Sequence, residues 1–162
     1  MSLYSTAGCK VFIGGALEQK AVDFVAADFT PQTWVEITSI ESMGSIGDSS
    51  SPITQDLIDQ QRQKTIKGIR IASPMELVCA IDLTDPGQLA LIAAERTPYD
   101  YAFKVELNDK PATGGSPKNS LRYFIGKVMS QTEVYDTANN VRKLNASVGV
   151  NSNLVRVAAS AT

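Results

Sequence analysis

Leu77-Val78-Cys79-Ala80-Ile81-Asp82-Leu83, then Thr84-Asp85-Pro86, then Tyr101-Ala102-Phe103-Lys104-Val105-Glu106-Leu107-Asn108 are the residues that decide the fold class. In the first run Leu77, Cys79, Ile81 and Leu83 alternate with Val78, Ala80 and Asp82. In the last run Tyr101, Phe103, Val105 and Leu107 alternate with Ala102, Lys104, Glu106 and Asn108. A period of two sends successive side chains to opposite faces, so both runs predict strands with one buried face. Between them Asp85-Pro86 predicts a helix. Asp85 accepts from an orphan N–H, and Pro86 sits at the first helical position with φ already set. The helix is expected over about 85–96, with Leu89, Ile92 and Ala93 as the apolar stripe against a sheet and Pro98 forbidding much continuation.

Working outward, Leu144, Ala146, Val148 and Val150 alternate with Asn145, Ser147 and Gly149, and Val35 and Ile37 oppose Glu36 and Thr38. Residues 64–72 read as another strand, with Ile66 out of phase with Ile69 and Ile71, a slip that Gly68 absorbs as a bulge. Residues 122–131 read as a strand with Tyr123 and Ile125 opposed to Phe124 and Val128. Residues 10–13 read as a short strand turning at Gly14-Gly15. The chain is therefore β-rich with one helix, and no segment recurs at a fixed period as a solenoid or propeller would require.

With 162 residues the chain has the length of one domain, 1–162. No apolar run approaches the roughly 20 residues of a membrane-spanning helix. The start, Met1 to Gly8, lacks the basic flank and apolar core of a secretory signal. Cys9 and Cys79 form no metal spacing and no disulfide framework, and are read as reduced thiols of a cytoplasmic folding environment. The net charge of −2, with 15 basic and 17 acidic residues interspersed, offers no electrostatic grip on nucleic acid, although it permits nucleic acid to pass.

Catalytic chemistry finds no template. The histidine count of zero removes the commonest general base and transition-metal ligand together. There is no nucleophile elbow, phosphate-binding loop, dinucleotide fingerprint or calcium loop. The carboxylate pairs Asp56 with Asp59 and Asp82 with Asp85 have plainer explanations: capping for Asp85, solvation or turn formation for the others. Trp34 and Arg122-Tyr123-Phe124 with Lys127 are the nearest approach to a base-stacking platform, and a core strand with a basic edge explains them better.

Two stretches resist regular assignment. Residues 108–119, with Pro111, Gly114-Gly115 and Pro117, are expected to be an exposed hairpin loop. Residues 42–63, with Met43-Gly44-Ser45-Ile46-Gly47-Asp48 and three serines before Pro52, are expected to be a long loop. Ile46, Ile53, Leu57 and Ile58 are stranded there among polar residues. They either fold back on their own domain or bury against another subunit.

From Thr33 onward an ordered series of landmarks runs through the chain. It comprises Thr33-Trp34-Val35-Glu36-Ile37-Thr38-Ser39-Ile40-Glu41-Ser42-Met43-Gly44, Met75-Glu76-Leu77-Val78-Cys79, Asp85-Pro86-Gly87-Gln88, Tyr101-Ala102-Phe103-Lys104-Val105, Phe124-Ile125-Gly126-Lys127-Val128-Met129-Ser130, Thr137-Ala138-Asn139-Asn140-Val141 and Leu144-Asn145-Ala146-Ser147. In order and spacing it resembles the major tail tube protein family of long-tailed, non-contractile bacteriophages. That resemblance implies a β-sandwich or β-barrel of about seven to eight strands with one flanking helix. It implies six copies closing into a ring and rings stacking into a hollow tube, the conduit for DNA delivery. It further implies partners in the tail tip, tail terminator and tape measure proteins and in double-stranded DNA passing through the lumen. No cofactor, membrane or small-molecule substrate is implied. The protein is expected in the virion tail after assembly in the host bacterial cytoplasm, without the C-terminal immunoglobulin-like domain that many members carry.

On this reading the 42–63 loop orders on docking to the next ring, with Ile46, Ile53, Leu57 and Ile58 as anchors; Glu36 and Thr38, opposite Val35 and Ile37, are the candidates to face a lumen whose neutral and acidic wall repels phosphate. A tube protein of a type VI secretion or contractile injection apparatus is the alternative of the same class. A small β-barrel nucleic-acid-binding module is the alternative from another.

Overall fold

The alternating runs pair antiparallel with one another in the computed structural model, which describes residues 3–162. In chain order the strands are β1 (Lys10–Ala16), β2 (Val35–Ile37), β3 (Ile40–Ser42), β4 (Asp48–Gln55), β5 (Lys64–Ala72) and β6 (Met75–Ala80). After the helix α1 (Pro86–Glu95) come β7 (Tyr101–Glu106), β8 (Leu121–Val134), β9 (Lys143–Val150) and β10 (Val155–Val157). Eight strands form one sheet, seven of them in the order β2-β1-β7-β8-β9-β6-β3 and β10 beside β8, while β4 and β5 form a separate hairpin. The fourteen-residue β8 serves two neighbours along one edge: β9 pairs its second half and β10 its first, with Arg156 opposite Arg122.

The sheet's two end strands, β2 and β3, are joined only by Thr38 and Ser39, so the sheet must roll until its ends meet. Ser39 turns the corner at φ 57° and accepts a bond from the Ala80 N–H at 2.9 Å. Its inner face carries Val11, Ile13, Ile37, Met75, Leu77, Cys79, Phe103, Val105, Phe124, Val128, Leu144, Ala146 and Val148, joined by Leu91 and Ala94 of α1. At about 25 cal/mol per Å² of apolar surface removed from water, this cluster is the main stabilising term.

Asp85 and Gln88 lock the corner. The Asp85 carboxylate accepts from the backbone N–H groups of Gly87 and Gln88, which caps α1, and from that of Thr38 at 3.0 Å. Gln88, only 2% exposed, donates to the carbonyls of Ala80 (2.8 Å) and Thr38 (3.3 Å) and accepts from the Asp82 N–H (3.1 Å). Every polar atom of the Gln88 amide is thereby used, as a buried amide requires.

Three expectations need correction. The buried stripe of α1 is Gly87, Gln88, Leu91 and Ala94; Leu89 and Ala93 face outward and Ile92 is half-buried. Backbone proximity chose that face: a Cβ on Gly87 would lie 2.2 Å from the Glu36 carbonyl oxygen, so the helix seats where it has no side chain. β1 does not turn at Gly14-Gly15 but continues through them with a bulge. The glycines admit Gln32 and Trp34 close above, and the Gly15 N–H donates to Gln32 Oε1 at 2.9 Å. The rolled sheet holds eight strands, within the expected seven to eight, and the β4–β5 hairpin brings the total to ten. The expected 42–63 loop contains β4, paired with β5 from Asp48↔Ala72 to Gln55↔Lys64; only 43–47 and 56–63 are irregular. Serine, with little strand preference, and Pro52 hid it, and its pairing partner lies beyond the turn.

The outer face of β7 and β8 is covered by the chain between β1 and β2. Phe24 and Phe29 pack on Ala102 and Ile125, and Tyr123 stacks on Phe29 (5.1 Å) beside Trp34 (5.8 Å). Asn153 pins this cover by bonding both backbone groups of Phe24. Phe124, on the inner face, is fully buried, so Arg122-Tyr123-Phe124 is a structural strand.

Gly87→Ala should cost about 3 kcal/mol through overpacking against fixed backbone. Gln88→Leu should cost a similar amount, about 3 kcal/mol, through orphaned buried partners. Chemical denaturation checks both; losses under about 1 kcal/mol would contradict the account of the corner. Burial, reinforced by the Asp85 carboxylate, pushes the Cys79 thiol up to about 11. At pH 8 a thiol reagent should therefore label the more accessible Cys9 in the native chain, and Cys79 only after denaturant is added.

Candidate functional site

Among the described residues no group of three His, Cys, Asp or Glu side chains converges on a point where a metal could sit. The single carboxylates are occupied locally: Asp85 caps α1, Asp82 accepts from the Thr84 N–H and hydroxyl, and Asp56 accepts from the Gln63 amide. What the fold leaves unsatisfied is apolar surface and sheet edge.

The β4–β5 hairpin is the main instance. The register pairs Ile53 with Ile66 and Ser49 with Ile71, and the two-for-one step between Ser50↔Arg70 and Pro52↔Lys67 places a bulge at Gly68-Ile69. Counting alternation from either pair through the bulge, Ile53, Ile66, Ile69 and Ile71 fall on one face. Asp48, Ser50, Pro52, Thr54, Thr65, Lys67 and Arg70 fall on the other. The Arg70–Asp48 ion pair, 2.6 Å, braces that polar side. The four isoleucines are 52–82% exposed. A two-stranded hairpin carrying such a stripe into water is marginal alone. The Gly68 bulge, anticipated from the phase slip, is what gathers the stripe.

The residues singled out in the sequence scatter along this arm. Ile46 lies in the connector between β3 and β4 and packs, half-buried, against the main core. Ile53 is part of the exposed stripe. Leu57 and Ile58 are at the tip, Leu57 half-buried and its carbonyl accepting from the Gln60 N–H, Ile58 fully exposed. Glu36 and Thr38 lie elsewhere, on and just after β2. Glu36 pairs with Lys10 at 3.3 Å, and the Thr38 backbone is held by Asp85 and Gln88. The sequence reading missed Ile66, Ile69 and Ile71 as surface residues, because an alternating apolar run looks the same whether its face meets a core or a partner.

Two sheet edges are also open. β3 pairs only with β6, and the second half of β8, Lys127 to Val134, pairs only with β9, leaving Met129 and Tyr135 exposed alongside. Unpaired edges of this kind pair with other chains unless guarded. At the other end of β8 the chain is closed up. Asp109 accepts from the Ser120 N–H (2.7 Å) and hydroxyl (2.5 Å), Ser120 Oγ accepts from the Ala159 N–H, and Lys118 bridges Ser160.

No protein-family model matches the sequence, and no curated protein does. Solved structures share the fold. The SPP1 tail tube structure superposes with a TM-score of 0.65 at 12% identity, covering 92% of this chain and 77% of that one. A chain of the anti-feeding prophage baseplate, solved with six-fold symmetry, gives 0.65 at 6% identity over 98% of both chains. An Hcp protein gives 0.50 at 11% identity over 88% of both. The chain thus has the fold of these proteins.

Ser120, first through its hydroxyl and then its N–H, holds the Asp109 carboxyl below the usual carboxylate range. A depressed value stabilises the folded state above the ordinary carboxylate pKa of about 3.9, and that contribution is lost as pH falls through the lower folded value. Asp109→Asn should therefore flatten the acid limb of stability below about pH 4 while changing its slope little at pH 7. Urea denaturation between those pH values checks it, and an unchanged acid limb would contradict the role of Asp109.

Proposed function

We propose that this chain is a structural subunit of a phage tail tube. Copies close into six-membered rings, and the rings stack into the conduit for DNA. The observation that carries the proposal is the β4–β5 arm, with four isoleucines on one exposed face, on a fold shared with the SPP1 tail tube. The six-fold symmetry of the anti-feeding prophage assembly, matched over 98% of both chains, supports the ring number. Ring closure is head-to-tail, so each copy offers one edge and accepts another. The open edges of β3 and of the second half of β8 are the pair available for it.

The arm then bridges copies between rings, its isoleucine face burying against a neighbour and Leu57 and Ile58 leading. Ile46, seated in its own core, sets the arm's root. Glu36 and Thr38 face the bore on this reading. The neutralised Glu36–Lys10 pair suits a wall that lets phosphate slide by without holding it. The role is non-enzymatic, its partners being further copies, the proteins that begin, end and measure the tail, and DNA in transit. The virion tail is the place of action, after assembly in the bacterial cytoplasm.

A second reading, the tube of a contractile injection or secretion apparatus, is favoured by the match to the anti-feeding prophage chain and to Hcp. Such a tube is enclosed by a sheath. A sheath protein that co-purifies with the assembled tube would move the assignment there.

Concentrated purified protein should form rings or tubes of uniform bore by negative-stain electron microscopy. Exchanging Ile66, Ile69 and Ile71 for threonine, which keeps strand preference, should leave a folded chain whose tubes are at least tenfold scarcer, a loss of about 1.4 kcal/mol or more per contact. Abundant tubes from that variant would remove the arm from assembly.

A further inference from the structure

We infer that the recess beside Arg122 and Arg156 is the socket that receives the arm tip, Asp56-Leu57-Ile58-Asp59, of another copy; the inference rests on the tube reading and names the receiving surface for its arm. The recess, about 350 Å³, lies at the mouth of the rolled sheet and is lined by Met43, Ile46, Leu107 and Leu154 with the two arginines. Arg122 and Arg156 are direct partners across β8 and β10. Like charges so placed repel. Among the described residues neither has an ion-pair partner: Arg122 donates to the Leu121 carbonyl (2.9 Å) and more loosely to that of Val157 (3.4 Å), and Arg156 is exposed. Two positive groups over an apolar floor call for an apolar residue flanked by carboxylates.

The chain presents that combination at the arm tip. Ile58 stands fully exposed beside Leu57, and Asp56 and Asp59 bracket them. Neither aspartate meets a lysine or arginine in its own chain among the described residues, Asp56 accepting only from the Gln63 amide. The tip cannot serve its own socket. The eight-residue strand β4 carries it about 26 Å from Asp48, whereas Met43 and Ile46, at the root of the same arm, line the recess. The occupant therefore comes from a neighbour, a head-to-tail contact that repeats along an assembly. Ile46 accordingly acts on the receiving side of the contact, and Leu57 and Ile58 act on the inserting side.

The test joins cross-linking to charge exchange on the full chain. In a Cys9→Ser background, Ile58→Cys with Leu154→Cys should give a ladder of disulfide-linked multimers when assembled protein is mildly oxidised. Ile58→Cys with Leu89→Cys, on the exposed side of α1, should give none. Separately, Asp59→Arg should raise the protein concentration needed for assembly about tenfold, and adding Arg156→Asp should restore it. Both charge positions are exposed, and an unchanged melting temperature would show that folding is intact. Normal assembly by Asp59→Arg, or an Ile58→Cys/Leu154→Cys ladder no stronger than that of the control pair, would overturn the socket while leaving the tube standing. Failure of the unsubstituted chain to form any ring or tube would overturn the tube reading, and the socket with it.

Discussion

The closure of the sheet at Thr38-Ser39 is the constraint on which the rest depends. An eight-stranded sheet whose first and last strands are separated by two residues cannot stay open. Its right-handed twist and its single apolar face both favour rolling, but rolling brings unpaired backbone groups together at the seam. Asp85 and Gln88, in the first turn of one short helix, answer that with four hydrogen bonds to Thr38, Ala80 and Asp82, while two more cap the helix itself. The helix thus fills the open end of the core with Leu91 and Ala94 and supplies the polar partners the seam lacks. Capping a helix and closing a sheet are here one act by one carboxylate.

Closure also determines what is left over. β2 has its outer edge blunted by the approach of Gly87, whereas β3, the second half of β8 and the outer edges of the β4–β5 hairpin keep open pairing capacity. The β4–β5 arm leaves the body between β3 and β6, which are themselves neighbours, so the sheet can accommodate it as an insertion without altering register on either side. The closed body and the extruded arm thus divide the apolar residues between a buried set and an exposed one. Ile53, Ile66, Ile69 and Ile71 of the arm belong to neither apolar cluster of the body.

Much of the body was legible because its strands alternate. Leu77, Cys79, Phe103, Val105, Leu144, Ala146 and Val148 fell on the inner face as the period of two requires. The Asp85-Pro86 start of the helix was equally plain. The helix face was not, because a glycine contact and a buried amide chose it, and hydrophobic periodicity scores neither. β4 was hidden since serines and a proline carry no strand signal of their own; its evidence is the complementary run in β5. Of the candidate surface residues, Ile53, Leu57 and Ile58 stood out against polar neighbours, whereas Ile66, Ile69 and Ile71 sat in a run that looks like core.

The arm's chemistry sets a limit on when it is ordered. A two-stranded hairpin without a second layer gains little from burial, and its strands lose about 1–2 kcal/mol of backbone entropy per residue on fixing. The Asp48–Arg70 pair is largely exposed on its arginine side and contributes about 1 kcal/mol at most. Within the arm only the β4–β5 pairing and this ion pair offset that loss, which makes the hairpin the least self-sufficient part of the chain. On the tube reading, burial of the isoleucine face on a neighbouring copy supplies the second layer that the hairpin lacks.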